Sequence, residues 1–155
     1  MISKTAEYAL RAVIFLAENV GTGHTTEQIA RATHIPAAYL SKVLQQLSKT
    51  GVVQSQRGLG GGFSLHKEAN DISILEIVNS VDPINRIMEC PLGLDAHAMK
   101  LCALHRRLDE ASELVERAFA QSTIAELLAD PKGGNVYTFP FQKNEGKKPS
   151  KRRKS

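Results

Sequence analysis

Two cysteines and one histidine are the side chains of this sequence best suited to chemistry. Cys90 and Cys102 are the only cysteines among the 155 residues, and His105 follows Cys102 by three positions. Two cysteines are too few for a disulfide-framed fold, so in a reducing compartment they are expected to be thiols or metal ligands. On a helix, positions 102 and 105 share a face, where a thiolate and an imidazole could converge on one metal centre. The alternatives are small buried apolar residues, or a pair that forms a disulfide on oxidation.

A block of forty residues contains no acidic side chain. Residues 28–67 have a net charge of +5, whereas residues 1–27 carry −1 and residues 68–142 carry −6. A short tail, residues 143–155, adds +6 and brings the whole chain to +4. A surface that lacks carboxylates is what contact with phosphate groups requires. The charge distribution therefore indicates a nucleic-acid-binding region inside an otherwise acidic chain, although chance depletion is the alternative.

The spacing of apolar residues predicts three helices and a hairpin in this half of the chain. The helices are expected over about Lys4–Asn19, from Thr25 to near His34, and from Pro36 to Gly51. Two short strands joined by a glycine-rich turn then follow within Val52–Leu65. This order of elements is typical of a helix-turn-helix followed by a wing.

A long helix is predicted in the second half of the chain. Ser73 with Glu76 forms a capping box that opens a helix ending near Asp82. After a loop, apolar residues at steps of three and four predict a helix over about Ala98–Gln121, roughly 35 Å long. A stripe of that length exceeds what one small domain needs for its core, so we expect a homodimer. The alternative is that this helix folds back on its own domain. A last short helix follows over Thr123–Ala129, again with a capping box.

The third helix is the candidate recognition helix. Lysine can reach phosphate or guanine, glutamine can pair with adenine, tyrosine can contact phosphate, and alanine can touch a thymine methyl group. The alternatives are a packing role for the tyrosine and plain solvated surface for the serine and glutamine. The candidate DNA-contacting residues of this helix are Ala38, Tyr39, Ser41, Lys42 and Gln45.

The glycine-rich run Arg57–Phe63 is not a nucleotide loop. A phosphate loop needs Gly-Lys-Ser/Thr before a helix, and a dinucleotide fingerprint needs glycine where this run has Phe63. Between two strands, glycines such as Gly58 let the backbone approach a sugar-phosphate chain, and Arg57 can enter a minor groove. The run therefore predicts the tip of a DNA-binding wing.

These residues together resemble the Rrf-two family of bacterial winged-helix transcription regulators. The resemblance rests on Ser3–Ala12 (SKTAEYALRA), Ile35–Leu40 (IPAAYL) and Arg57–Leu65 (RGLGGGFSL), and it covers about residues 1–130. It implies a homodimer that binds a near-palindromic operator in double-stranded DNA, with the long helix as the dimer interface. It also implies a cysteine-bearing loop before that helix, which in many members holds an iron-sulfur cluster.

The cysteine loop departs from the family pattern because the middle cysteine is missing. Members with three cysteines carry it where this chain has Ala96 and His97. The resemblance implies that His105 is a ligand and that Glu7 ligates the cluster of the partner subunit, although both could be ordinary solvated side chains. Two thiolates per site favour a [2Fe-2S] over a [4Fe-4S] cluster. The predicted ligands are Cys90, Cys102, His105 and Glu7, with His97 and His34 in reserve.

The expected architecture is mainly α with a small β-hairpin. It comprises a winged helix-turn-helix DNA-binding domain at 1–82, a cysteine-bearing cluster loop at 83–98 and a dimerisation helix with a short terminal helix at 99–130. A disordered basic tail at 131–155 completes the chain.

The predicted function is transcription regulation that senses redox, iron or nitric oxide status through a [2Fe-2S] cluster. The alternative is a cluster-free family member controlled by a thiol switch of Cys90 and Cys102, or by a protein partner on the acidic C-terminal half. No Ser/His/Asp or His-Glu-x-x-His arrangement is present, so neither an enzyme nor a small-molecule substrate is expected. The sequence also lacks an apolar run of about 18 residues and a secretion signal, which predicts a cytoplasmic protein with no membrane contact.

Overall fold

The computed structural model describes residues 2–90 and 101–130. Within them the chain forms six α-helices, a two-stranded antiparallel hairpin and one 3-10 turn, Ala69–Asp71. The helices are α1 (Lys4–Glu18), α2 (Thr26–Thr33), α3 (Ala37–Lys49), α4 (Ile74–Val81), α5 (Ala103–Ala120) and α6 (Ile124–Ala129), and the strands are β1 (Val53–Gln56) and β2 (Gly62–Leu65). The predicted helical order and the hairpin are confirmed.

Two of the three predicted capping boxes are complete. At the start of α2, the Thr25 hydroxyl accepts from the Gln28 amide, while the Gln28 side chain accepts from the Thr25 amide at 2.8 Å. Thr123 and Glu126 form the same reciprocal pair at the start of α6. Each box satisfies two amide groups that the first helical turn leaves without partners, so the local sequence fixes these helix starts.

The predicted box at the start of α4 is only half formed. The Ser73 hydroxyl accepts from the Glu76 amide at 3.1 Å, as expected. The Glu76 carboxylate, however, accepts from the Lys67 ammonium group at 2.5 Å. The prediction of a full box is wrong because an ion pair with a residue outside the helix takes this carboxylate.

The apolar faces of the first four helices meet in a single core. α3 contributes four buried side chains to it, and α1 contributes seven. Burying a large aliphatic side chain contributes roughly 1.5–3 kcal/mol, so this core is the main source of stability for the first four helices. The largest fully buried side chains are Leu16, Ile29, Leu40, Leu44, Leu47, Ile72, Ile77 and Ile124.

The last helix packs in the same core as residues 1–82. Ile124 of α6 is fully buried, and its amide donates to the carbonyl oxygen of Ile72 at 2.9 Å. The Ile74 amide donates in turn to the Ser122 carbonyl oxygen, also at 2.9 Å. The chain therefore leaves the core along α5 and comes back to it through α6. The domain boundaries given above stay a prediction.

Helix α5 begins later than the sequence predicts. It starts at Ala103, not near Ala98, because Cys102 has an extended backbone (φ −64°, ψ 164°) and occupies the N-cap position. Its 18 residues give a length of about 27 Å. None of the residues in α5 is buried in the single chain.

Candidate DNA interface and thiol site

Helix α3 presents a polar face opposite to its buried one. Of the predicted DNA-contacting residues, Ser41 is half-buried and the others are exposed. Gln46 and Lys49 are also exposed on this face and were not among the predicted DNA-contacting residues. Steps of four residues from Lys42 and from Gln45 would have identified both, because side chains at that spacing share a helical face.

Tyr39 connects the recognition helix to α1. Its hydroxyl lies 2.6 Å from the hydroxyl of Thr5, and its ring meets the ring of Tyr8 edge-on with centroids 5.5 Å apart. The guanidinium group of Arg11 lies 5.9 Å from the centroid of Tyr8. Tyr39 is nevertheless 42% exposed. It therefore has the packing role that the sequence left as an alternative, while part of its surface stays accessible.

The hairpin ends in an exposed tip that carries Arg57, Gly58 and Leu59. Its glycines are required by the chain itself. Gly62 has a φ of +135°, and a Cβ atom there would lie 2.5 Å from the backbone of His24. His24 approaches so closely because its amide and carbonyl groups form a bridge with Phe63, at 2.9 and 2.8 Å. No sequence pattern predicts this contact, because one bridging residue leaves no periodic signal.

Cys90, Cys102 and His105 lie close together at the start of α5, and we call these three residues the thiol site. The Nδ1 atom of His105 lies 3.3 Å from the Sγ atom of Cys102 and 4.0 Å from that of Cys90. Both cysteines are thiols and half-buried. Cys102 and His105 thus contact each other, although Cys102 caps the helix and does not lie within it, and their role as metal ligands stays a prediction. Within residues 2–90 and 101–130, no three His, Cys, Asp or Glu side chains are already arranged to hold a metal ion.

An arginine ahead of Cys90 binds three carboxylates of α5. The Nε and Nη2 atoms of Arg86 donate to the two oxygens of Asp109 at 2.6 and 2.7 Å. The same guanidinium group donates to Glu113 at 3.3 Å and to Glu116 at 3.2 Å. Hydrogen bonding with Asp109 raises the pKa of Arg86, and the bond from Arg86 holds the pKa of Asp109 below its ordinary value. This network was not predicted, although the spacing of the three acids along α5 is visible in the sequence.

Glu7 and His34 line one cavity, and neither is among the contacts described for Cys90, Cys102 and His105. Both line a cavity of about 480 Å³ whose other walls come from α1, α2, α4, α5 and α6. Glu7 forms an ion pair with Arg11 one helical turn later. His34 is the only non-glycine residue among those described with a left-handed backbone, at φ 55°. The structure therefore groups the two cysteines with His105 and groups Glu7 with His34, whereas His97 lies outside the described residues.

An apolar groove runs along α5. Leu108, Leu114 and Val115 line it and are 49%, 63% and 36% exposed. Its volume is about 790 Å³, and its other wall includes Ile2, Val78 and Ile84. Large exposed apolar patches are uncommon on soluble monomers and mark interaction surfaces.

None of the helices within residues 2–90 and 101–130 combines the length and the apolar content that a membrane-spanning helix requires.

The fold defines the class of protein. A helix-turn-helix formed by α2 and α3, supported by α1 and followed by an antiparallel hairpin, is the arrangement of a winged-helix DNA-binding protein. The profile of the Rrf2 family, described as iron-dependent transcriptional regulators, matches residues 2–130. The chain belongs to this family, so the predicted family, fold class and regulatory role, as opposed to an enzymatic one, are confirmed.

Individual relatives agree with this assignment. The chain is 32% identical to the transcriptional regulator NsrR of Geobacillus kaustophilus over 132 residues, which cover 83% of this chain and 90% of that one. Its fold matches CymR, the global cysteine regulator of B. subtilis, with a TM-score of 0.68 and 23% identity over 82% of this chain and 95% of CymR. It also matches T. potens IscR, with a TM-score of 0.67 and 24% identity over 83% and 85% of the two chains. This protein is thus a DNA-binding transcriptional regulator.

Proposed function

We propose that this regulator acts as a homodimer in which a [2Fe-2S] cluster couples redox, iron or nitric oxide status to operator affinity. The observation that carries the proposal is the convergence of two sulfur atoms on one imidazole nitrogen, at 3.3 and 4.0 Å. Similarity to an NsrR protein and to an iron-dependent family supports it.

The donor set fits a [2Fe-2S] cluster. Thiolates are the usual ligands of such clusters, and imidazole groups replace two of them in known variants. Cys90, Cys102 and His105 supply two sulfur donors and one nitrogen donor within a single small site. Cys102 supplies its sulfur from the N-cap position of α5. When bound, such a cluster supplies one-electron redox chemistry and reactivity towards small oxidants.

The fourth ligand must come from outside this group. Glu7 is the candidate, and its ion pair with Arg11 leaves the carboxylate at the edge of a cavity that His34 also lines. A carboxylate and an imidazole at the same cavity are two further donors, so His34 is the reserve. Because neither is among the contacts of the thiol site within one chain, we propose that Glu7 reaches it from the partner subunit.

Dimerisation is supported by the apolar groove of α5. The groove exposes leucine and valine side chains that a single chain leaves in contact with water. A second copy would bury this surface, because homodimer interfaces are more apolar than the average protein surface. Light scattering should give about twice the chain mass of 16.9 kDa. Leu114→Lys should yield monomer, whereas Leu59→Lys at the exposed hairpin tip should leave the dimer intact.

DNA would be bound by the polar face of α3 and by the hairpin tip. Lys42 and Gln45 are exposed on α3, and Arg57 is exposed beside the tip glycines. In a dimer, two copies of these surfaces must match two half-sites at a fixed spacing. A change at the thiol site that moves α5 would alter this spacing, and the operator affinity would change by the difference in binding free energy between the two states.

The decisive experiment is spectroscopy on protein purified without oxygen. We expect a visible absorption band and about two irons and two acid-labile sulfides per site. Cys90→Ala and Cys102→Ala should abolish the band, and His105→Ala and Glu7→Ala should shift it or lower its occupancy. Colourless protein without iron that still binds DNA would refute the cluster.

Matched control variants separate ligand loss from general damage. His66→Ala removes an exposed imidazole on the hairpin side of the molecule, and Glu27→Ala removes an acid from the first turn of α2, as Glu7→Ala does for α1. Both controls should retain the full iron content. His34→Ala tests the reserve ligand, and a loss of iron in this variant but not in Glu7→Ala would exchange the two assignments.

A cluster-free thiol switch is the second candidate function. The two sulfur atoms contact the same nitrogen atom, so they lie no farther apart than the two contact distances combined. Staphylococcus aureus CymR, which has the same fold, was solved in an oxidized form, and this supports the alternative. Under this alternative, iron-free protein should lose or gain operator affinity on Cys90–Cys102 disulfide formation, and Cys90→Ser should respond to no oxidant.

A further inference from the structure

The segment that leads to Cys90 has no buried residue of its own. Residues 82–90 follow the end of α4, and every one of them is exposed or half-buried. Ile84 lines the apolar groove of α5, and hydrogen bonds attach the segment at further points. The Ile84 amide donates to the side chain of Asn79 at 3.2 Å, and the Ile87 amide donates to Asp109 at 2.9 Å. Because no residue of the segment is buried, these hydrogen bonds contribute strongly to its position.

Arg86 makes the densest of these contacts. Its guanidinium group forms a two-pronged pair with Asp109 and reaches two further carboxylates, and only 28% of its side chain is exposed. Paired parallel bonds of this kind fix direction as well as distance. Asp109 also accepts the Ile87 amide, so one carboxylate holds both the side chain and the backbone of the segment.

The carboxylates lie on the same face of α5 as His105. The stripe runs through His105, Asp109, Glu113 and Glu116, at steps of four, four and three residues, and such steps keep side chains on one face. His105, at one end of this stripe, contacts the sulfur of Cys90. The carboxylates bind Arg86, which precedes Cys90 by four residues. The segment is thus attached to the rigid helix α5 at two points, through Cys90 at His105 and through Arg86 at the carboxylates.

We propose that Arg86 is a positioning residue that holds Cys90 against His105 and Cys102 by anchoring the preceding segment to Asp109. The proposal deepens the proposed function, because Cys90 is a proposed ligand. Cys102 and His105 belong to the same helix end, so their contact does not depend on Arg86. Loss of Arg86 should therefore free Cys90 alone.

The test measures how strongly the two thiols are held together in full-length, metal-free protein. In a glutathione buffer, one oxidised glutathione takes two electrons from Cys90 and Cys102. A protein disulfide and two molecules of reduced glutathione result, with the two thiol protons passing to glutathione. The equilibrium gives the effective concentration of one thiol near the other. Because no metal takes part, failure of the cluster hypothesis and failure of this proposal are separate results.

Arg86→Gln should lower this effective concentration by about ten-fold or more, since oriented neighbours lose most of their advantage when one becomes mobile. Arg86→Lys keeps the charge but not the two-pronged geometry and should give an intermediate value. Arg107→Gln is the matched control. It removes an exposed arginine of α5 that pairs with Glu110 at 2.8 Å, and it should stay within about two-fold of wild type.

Three results would overturn the proposal. The first is a folded Arg86→Gln protein with the wild-type effective concentration. The second is an equal loss in Arg107→Gln. The third is an effective concentration in the folded wild-type protein that is no higher than in the chain unfolded in urea. The fold would then not position the two thiols at all. If Arg86→Gln does not fold, Arg86→Lys decides: a wild-type value in that variant refutes the proposal, and a reduced value in a folded protein supports it.

Discussion

Helix α3 rests on four buried side chains, whereas helix α5 has none among its 18 residues. The recognition face is therefore held by apolar burial, which salt and mild acid barely change. The segment that carries Cys90 is held against α5 by an arginine and three carboxylates, whose attraction is weakened by salt and by strong acid. The contrast indicates that the position of the recognition face depends less on salt and acid than the position of the segment that carries Cys90.

The largest expected effect is a substitution beneath the recognition face. Leu44→Ala should lower the free energy of unfolding by about 3 kcal/mol, because it leaves a cavity in a closed core. Urea denaturation followed by circular dichroism measures this. Leu59→Ala makes the same chemical change at a fully exposed tip and should cost under about 0.5 kcal/mol. Equal losses in the two variants would remove the basis of the comparison.

A charge on the recognition side should matter to DNA more than a charge on α5. Arg57→Ala should lower operator affinity by about ten-fold and reduce the salt dependence of binding by about one unit, because one phosphate or groove contact is lost. Fluorescence anisotropy at several salt concentrations measures both quantities. Arg107→Ala removes a similarly exposed arginine of α5 and should leave both unchanged. A weaker effect of Arg57→Ala than of Arg107→Ala would place the DNA elsewhere.

Acid should weaken the attachment of the Cys90 segment to α5 by protonating Asp109. The bond from Arg86 lowers the pKa of Asp109 in the folded protein, so its stabilising contribution is present above the ordinary value of 3.8 and is lost as pH falls through the folded-state pKa. Asp109→Asn should therefore be less stable than wild type at pH 7, and the difference should shrink below pH 3.8. Denaturation curves across this range test the sign, and a difference that grows with acid would contradict it.

The smallest expected effect has the opposite sign and lies in the DNA-binding half. Burial raises the pKa of Glu18 at the end of α1, and its Oε1 atom is buried with no hydrogen-bond partner among the described residues. A raised pKa means that stability is present at low pH and lost as pH rises through the folded-state value. Glu18→Gln should thus raise the Tm by about 1–3 °C at pH 7 and leave it unchanged below pH 4.5. A lower Tm at pH 7 would show that the charged form is favoured.

The sequence predicted the recognition half well because periodicity and capping are local signals. Thr25 with Gln28 fixes the start of α2, and the buried face of α3 follows from its leucine and valine spacing. For α5 and the segment that carries Cys90, the sequence predicted which residue types matter, but it predicted their positions in the fold only partly. The start of α5 was set too early, since apolar spacing continues through Leu101 while the backbone of Cys102 is extended.

Contacts between residues distant in sequence were beyond the reach of these patterns. Arg86 meets Asp109 across 23 positions, and His24 meets Phe63 across 39, with no repeat linking either pair. Glu7 and His34 were named separately as ligand candidates, and only the three-dimensional fold places them at one cavity.

The close approach of His24 to the hairpin predicts a large difference in mutational tolerance between two positions of the same turn. At Gly62, a left-handed backbone and a facing peptide 2.5 Å from any Cβ exclude every other amino acid. At Leu59, three positions earlier, the side chain is fully exposed, and any residue should be accepted as far as folding is concerned. A saturation library selected for folded protein should therefore retain only glycine at position 62 and nearly every residue at position 59, so that variation among the folded survivors would collect at position 59.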